Sequence, residues 1–278
     1  MLITSRQNPK IQRLVRLRER ASREKEDVFL LEGLREIERA AASGIRIREF
    51  YFCPEQMRSG AAREIAQKMR QRLPEENCFE LSPGAFEKIS YRDRPEGVLA
   101  VAEMRRHTLD ALPPPKSGEA PLYLVAESIE KPGNLGALLR TADSAGCTAL
   151  ICCGSGTDIY NPNAVRASQG TLFSMPLAVA PAEEVYAWLR ERQVAIFATT
   201  PDAKKLYWDC DFRGASAILL GTEATGLSDF WLKDSEQKSV TPVAIPQKGM
   251  ADSLNVSMAA GICLFEIVRQ RDRNNFNS

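Results

Sequence analysis

The sequence predicts an α/β protein built in two parts. Three observations predict it. Short apolar runs alternate with helical periodicities; the alternation stops at a proline-rich stretch and restarts on a larger scale; and charge differs on the two sides of that break. Residues 1–119 hold 23 Lys+Arg against 19 Asp+Glu, a net of +4, and residues 120–278 hold 14 against 17, a net of −3, giving the overall +1. The first 25 residues carry eight basic side chains and two acidic ones. Such asymmetry fits a polyanion-binding front half, and it fits a merely solvated basic helix as well.

In the first part, residues 8–20 place Ile11, Leu14 and Val15 on one helical face, ringed by Lys10, Arg13, Arg16, Arg18 and Arg20. Residues 29–33 read as a short strand ending at Gly33, and a helix through Leu34, Ile37, Ala41 and Ala42 stops at Gly44. Residues 48–53 read as a strand, 60–71 as a helix, 78–81 as a strand and 97–102 as a strand. Residues 107–119 contain Pro113, Pro114, Pro115, Ser117 and Gly118 with almost no apolar periodicity, so they read as a stiffened linker with His107 as a solvated residue at its edge. The domains expected are therefore 1–106 and 120–278.

In the second part, strands are expected at 122–126, 149–153, 194–198, 217–220 and 243–245. Helices are expected at 135–145, at 163–168 after the Asn161-Pro162 turn, at 182–192 and at 254–271. In the last of these Leu254, Met258, Ile262, Phe265 and Val268 recur at spacings of three and four, which predicts that this face is buried.

Seven cysteines at irregular spacing, no Cys-x-x-Cys pair and a single histidine argue against a structural zinc site and against a disulfide framework. They read as reduced core thiols. No run approaches the roughly 20 apolar residues of a membrane span. The Arg-rich start is interrupted by Glu19, Glu24, Glu26 and Asp27, unlike a transit peptide, and the expectation is a soluble, cytoplasmic protein.

Three separated stretches read as one site: residues 131–140 (KPGNLGALLR), 220–227 (LGTEATGL) and 245–255 (IPQKGMADSLN). Each follows or contains a short apolar run and then turns through Gly, Pro or Ser, as loops do at the carboxyl ends of strands where α/β folds bind ligands. Together they carry Asn134, Arg140, Glu223, Ser253 and Asn255. The chain has no P-loop, no G-x-G-x-x-G after a strand, no G-x-S-x-G elbow and no histidine in its second part, so its chemistry must run on Arg, Glu, Ser, Asn and backbone groups. Methyl transfer from a sulfonium donor fits that inventory, because the methyl is already electrophilic and alignment supplies much of the rate.

With these stretches, and with residues 161–170 (NPNAVRASQG) between the first and second, the second part resembles the SpoU/TrmH family of RNA ribose 2′-O-methyltransferases in the SPOUT superfamily. The resemblance covers essentially residues 120–271, and residues 5–12 with 29–33 are similar to the family's smaller N-terminal α/β RNA-binding domain, which resembles ribosomal proteins. The family fold implies an α/β domain knotted as a trefoil, a homodimer, and S-adenosylmethionine as cofactor with no metal. It implies catalytic roles for Asn134, Arg140, Glu223, Ser253 and Asn255, and donor contacts from Thr200, Gly221, Ile245 and Leu254. Arg166, Lys10 and Arg13 are candidates for RNA phosphates, with pairing to a nearby acid the other reading of Arg166. The family casts Arg140 as general base. A guanidinium is a poor base, so oxyanion or phosphate stabilisation by Arg140 is favoured, with Glu223, water or the phosphate taking the proton. Glu223 has a bland alternative as a loop cap, and Ser253 as the N-cap of the last helix. Ala224 stands where glycine is common in the family and Gln247 where an apolar residue is usual. The implied substrate is ribosomal RNA ahead of transfer RNA; a non-catalytic RNA-binding or ribosome-assembly factor and an RNA base methyltransferase are the alternatives.

Overall fold

The computed structural model describes residues 1–154, 156–222, 225–233, 237, 239–250 and 253–272. The chain divides into two compact units: residues 1–106 with 158–174, and residues 107–157 with 175–278.

The first unit is a mixed five-stranded sheet with helices. In chain order it contains β1 (Leu2–Ile3), α1 (Pro9–Arg16), α2 (Arg20–Glu26), β2 (Val28–Glu32), α3 (Leu34–Ala42), β3 (Ile47–Phe52), α4 (Gly60–Arg72), β4 (Cys78–Leu81), α5 (Pro83–Ile89) and β5 (Val98–Glu103). The sheet order is β1-β4-β3-β5-β2; β1, β4 and β3 run parallel, and β5 is antiparallel to both β3 and β2. Its core packs Ile11, Leu14 and Leu17 against Leu30, Tyr51, Phe79, Phe86 and Val101.

The helix expected over 8–20 breaks at Leu17–Glu19 into α1 and α2. The break is stabilised from inside. Arg23, fully buried on α2, donates from Nη1 to the carbonyls of Leu17 and Arg18, while Arg18 Nη2 reaches the carbonyls of Lys88, Ile89 and Ser90. Carbonyls freed by ending a helix need such donors, and amphipathic periodicity carries no sign of them.

Residues 158–174 belong to this unit as well, with α7 (Pro162–Ala167) and α8 (Thr171–Ser174) on either side of Gly170. Arg23 pairs with Asp158. The Phe29 ring lies 4.4 Å from Tyr160 and 5.9 Å from Phe173, centroid to centroid. Asn161 caps α7 by accepting from the Asn163 N–H, and Pro162 takes the first helical position, where its missing N–H costs nothing.

The second unit is a six-stranded, all-parallel sheet. It contains β6 (Leu122–Glu127), α6 (Pro132–Ser144), β7 (Ala149–Cys153), β8 (Leu177–Ala180), α9 (Ala182–Glu191), β9 (Ala195–Thr199), β10 (Ser216–Leu220), α10 (Asp229–Leu232), β11 (Val240–Val243) and α11 (Val256–Arg271). The order is β11-β9-β10-β6-β7-β8. β6, β7 and β10 are buried along their whole length, as strands covered on both faces are. All seven cysteines are free and buried; among them Cys152 is pushed up to about 12 by burial.

Three expectations need correction. His107 is half-buried: its Nδ1 lies 3.3 Å from the Leu177 carbonyl, and its own carbonyl accepts from Val179 N–H at 2.7 Å. The start of the proline-rich stretch thus covers the exposed edge of β8, and Leu109 and Leu112 pack on the second core. The strand expected at 243–245 ends at Val243, with Ala244 only bridging Leu206. In α11 the buried face is Val256, Ala260, Cys263, Leu264 and Ile267. Met258 (61% exposed) and Phe265 (51%) point outward. Apolar residues recur on both faces of this helix, so spacing alone did not select the inner one.

Candidate functional site

The carboxyl ends of β9, β10 and β11 lie side by side, because these strands are neighbours and parallel. Thr200, Gly221 and Ile245 each follow one of those ends within two residues, and all three are half-exposed. β6 is the next strand over, pairing Ala126 with Leu220, and its chain continues into the first polar stretch.

That stretch starts α6. Pro132 holds the first helical position and Asn134 lies in the first turn. The third stretch ends at α11, where the cap is Asn255: its Oδ1 accepts from the Ser257 N–H at 3.0 Å. The same side chain reaches across to the first stretch, Asn255 Nδ2 donating to Asn134 Oδ1 at 3.1 Å. α11 packs on α6 at a small-residue seam, where a Cβ on Gly261 would sit 3.9 Å from the Thr141 methyl. Ser253 is exposed and does not cap the helix; Asn255 does, so the capping alternative for Ser253 is corrected. Leu254 is half-exposed beside it. Arg140 is exposed on α6 with no acid or acceptor partner among the described residues.

The second stretch folds back on itself. Thr222 and Gly226 exchange backbone hydrogen bonds at 3.0 and 3.1 Å, and Thr222 Oγ1 accepts from the Thr225 N–H at 2.9 Å. Gly226 has φ 69°, the left-handed region. At Gly221 a Cβ would overlap the backbone of Gly226 and Leu227, so any side chain there would force the returning chain away. Glu223 and Ala224 lie outside the described residues.

One buried carboxylate was not anticipated. Glu127, the last residue of β6, is 6% exposed. Its Oε2 accepts from Ser228 N–H at 2.7 Å, and its Oε1 accepts from Ser228 Oγ at 2.7 Å and Trp231 Nε1 at 3.1 Å. It therefore ties the strand that feeds the first stretch to the chain leaving the second. The only signal in the sequence was an acid closing the apolar run Leu122–Glu127.

The proposed RNA contacts fare unevenly. Arg166 is exposed on α7, with no acid partner among the described residues. Arg13 is held by Glu26 at 2.6 Å and Glu49 at 2.9 Å; burial is the largest single effect on its pKa and lowers it, but the two carboxylates together outweigh it and the pKa is raised. Lys10 Nζ sits 4.3 Å over the Phe79 ring. No cluster of His, Cys, Asp or Glu among the described residues could hold a metal ion. Thr200, Gly221 and Ile245 are uncharged and half-exposed, and backbone groups such as theirs can read the adenine edge of a nucleoside-like methyl donor.

Parallel strand ends, two loops joined by an amide pair and a guanidinium with no partner among the described residues define the class: an α/β domain with its ligand loops at the carboxyl edge of the sheet. Residues 121–265 match the SpoU rRNA Methylase family, and residues 8–100 match the MRM3-like substrate binding domain. The chain is 32% identical over 250 residues to a 23S rRNA (uridine(2479)-2′-O)-methyltransferase of Streptomyces viridochromogenes, covering 87% of this chain and 83% of that one. A crystal structure of an RNA 2′-O ribose methyltransferase superposes with a TM-score of 0.81 at 39% identity, covering 98% of this chain and 99% of that one. The SpoU methyltransferase AviRb of Streptomyces viridochromogenes in complex with AdoMet superposes with a TM-score of 0.82 at 31% identity over 95% and 98% of the two chains. This chain belongs to the SpoU rRNA methylase family.

Proposed function

We propose that this protein transfers a methyl group from S-adenosylmethionine to a ribose 2′-hydroxyl of ribosomal RNA. The observation that carries the reading is the Asn255–Asn134 bond, which joins the first and third polar stretches beside three neighbouring strand ends. The similar protein of Streptomyces viridochromogenes is named for 2′-O-methylation of 23S rRNA, and the superposing AviRb structure holds AdoMet.

The donor supplies an electrophilic methyl on a sulfonium sulfur; a carbon–oxygen bond forms at O2′ as the sulfur–carbon bond breaks and the hydroxyl proton leaves. The main chain at Thr200, Gly221, Ile245 and Leu254 seats the donor. Asn134 and Asn255 orient one another and the acceptor, with Ser253 adjacent in sequence. Arg140, with no partner among the described residues, stabilises the developing oxyanion or the flanking phosphate. Glu223, water or the RNA phosphate accepts the proton. The role proposed for residues 1–106 is substrate RNA binding, with 107–119 as the connection to the 120–278 transferase domain.

The outward face of α11, with Met258, Ile262, Phe265 and Val268, supports a homodimer, since contiguous exposed apolar surface on a soluble domain marks an interface. A trefoil knot formed by the segment leading into α11 is consistent with the packing of α11 on α6. No helix among the described residues is long and apolar enough to cross a membrane, and we place the activity in the cytoplasm, where ribosomal RNA is.

The test is to incubate the protein with ribosomal RNA and labelled donor, then digest to nucleosides. A 2′-O-methylnucleoside is expected; label on a base assigns a base methyltransferase, and absence of donor binding by calorimetry assigns a non-catalytic RNA-binding factor. Arg140→Ala should lower turnover by roughly 10²–10³-fold, as for loss of an oxyanion-stabilising donor, with donor affinity retained.

A further inference from the structure

A cleft of about 790 Å³ lies within the first unit, and of the residues that the transferase reading uses only Arg166 lines it. It is lined by Arg35 and Glu38 of α3, by Arg92, Asp93 and Arg94 of the loop before β5, and by Arg166 of α7. Its arginines fall into two kinds. Arg92 is braced at 2.9 Å by Glu36 and at 2.8 Å by Glu96, two carboxylates that more than offset its charge. The brace is built into the backbone: Gly33 has φ 119°, and a Cβ there would overlap the Arg92 guanidinium and the Glu36 carboxylate. Glu96 also accepts from the Leu34 N–H, tying the loop to the start of α3. Arg35, Arg94 and Arg166, by contrast, are exposed and have no acid partner among the described residues; Arg35 donates only to the neutral Gln169 side chain. Three cations from three elements therefore line the cleft beside a fixed cluster of one arginine and two carboxylates, with Asp93 and Glu38 also in the lining.

We propose that this cleft holds an unpaired nucleotide of RNA, its backbone phosphates on Arg94, Arg166 and Arg35 and its sugar hydroxyl or base N–H groups on Asp93 and Glu38. The inference rests on the RNA reading above and adds to it a seat and a class of structure. Mixed charge is the reason. A site for phosphate alone gains nothing from two carboxylates, which repel it, whereas carboxylates accept from 2′-hydroxyls and from amino and imino N–H groups of bases. Size is the second reason. The cleft's volume falls within the range of about 300–1,000 Å³ that small-ligand sites occupy, and unpaired bases are what proteins splay into such sites.

The experiment measures binding of the full-length protein to a labelled hairpin RNA with a long loop and to a fully paired duplex of the same stem, by fluorescence anisotropy across a salt titration. The Arg94→Ala, Arg166→Ala double variant should lose about tenfold in hairpin affinity, and its slope of log K against log salt should fall by roughly 1.4, two single-strand phosphate contacts. Duplex affinity should change by less than about twofold, since duplex contacts lie elsewhere. Asp93→Asn should narrow the preference for an RNA hairpin over its DNA counterpart. Both positions are exposed, and an unchanged melting temperature confirms that the variants fold. Hairpin affinity and slope equal to wild type would overturn the cleft alone; a wild-type protein that binds neither RNA would overturn the RNA reading together with it. Equal loss for hairpin and duplex would overturn the unpaired-nucleotide assignment.

Discussion

Each unit ends a fully buried strand in a carboxylate, an edge strand in the first and an interior strand in the second, and puts the result to different use. Glu32 closes β2 and Glu127 closes β6, and both carboxylates are buried. Glu32 accepts from Ser90 Oγ and from the Tyr91 N–H at 2.9 Å, fixing the loop that leads into Arg92–Glu96. Glu127 accepts from both polar groups of Ser228 and from the Trp231 indole, fixing the chain that leaves the second polar stretch. In each unit one acid carries a loop from a distant part of the sequence to the end of a strand. The difference lies in what surrounds it. Burial raises the Glu32 carboxyl, offset in part by Ser90, Tyr91 and the nearby cations of Arg92 and Arg18. Glu127 instead is enclosed by a hydroxyl, an amide and an aromatic N–H, with no arginine among its hydrogen-bond partners. Both carboxylates thus fix their loops through neutral donors, and Glu32 differs in having the Arg92 and Arg18 cations acting on it from beyond that shell.

Four substitutions bear on that contrast, from the largest expected effect downward. Glu127→Ala strands the buried Trp231 indole N–H and removes both Ser228 hydrogen bonds; with an unsatisfied buried donor worth about 1–3 kcal/mol and each lost bond about 1 kcal/mol, a loss of roughly 3–5 kcal/mol is expected by denaturant unfolding. Calorimetry should show weaker donor binding in the same variant, and unaltered affinity would separate Glu127 from the site. Glu32→Ala strands fewer donors and should cost about 2–4 kcal/mol, with hairpin RNA binding impaired and donor binding kept. Were both variants to lose donor binding equally, the two carboxylates would not serve separate sites. Asn255→Ala removes the α11 cap at a cost of about 1 kcal/mol; because it also breaks the bond to Asn134, turnover should fall more than thermal stability suggests.

The smallest effect is in pH. The folded state holds the Glu32 proton more tightly than the unfolded chain does, so this group's contribution to stability declines as pH rises from the ordinary carboxyl range through its raised value. Glu32→Gln removes that dependence. The stability of wild type relative to Glu32→Gln should therefore be more favourable near about pH 5 than near about pH 7.5. A flat difference across that range in urea titrations would mean that Glu32 ionises in the folded protein as it does in the unfolded one.

Much of this was readable beforehand. β4 and β7 fall where the apolar runs place them, and β10 begins one residue early, because fully buried strands show as short apolar blocks between turn residues. The short elements β1, β8, α5, α8 and α10 were missed; each is two to seven residues long, too short for a period to register. The polar stretches were legible as a candidate site from residue type and order. Glu127 was not, since its meaning depends on Ser228 and Trp231, about a hundred residues away. Arg13 and Arg166 look alike in the sequence, yet one is locked between two carboxylates and the other stands open.

By itself the sequence determined the two-part α/β plan, the family and the inventory of groups available for chemistry, because these follow from local periodicity and from residue identity. Tertiary structure alone decided which face of α11 is buried, which arginines are neutralised, and that residues 158–174 join the first unit. Burial and charge pairing are properties of neighbours in space, and a linear chain does not say who those neighbours are.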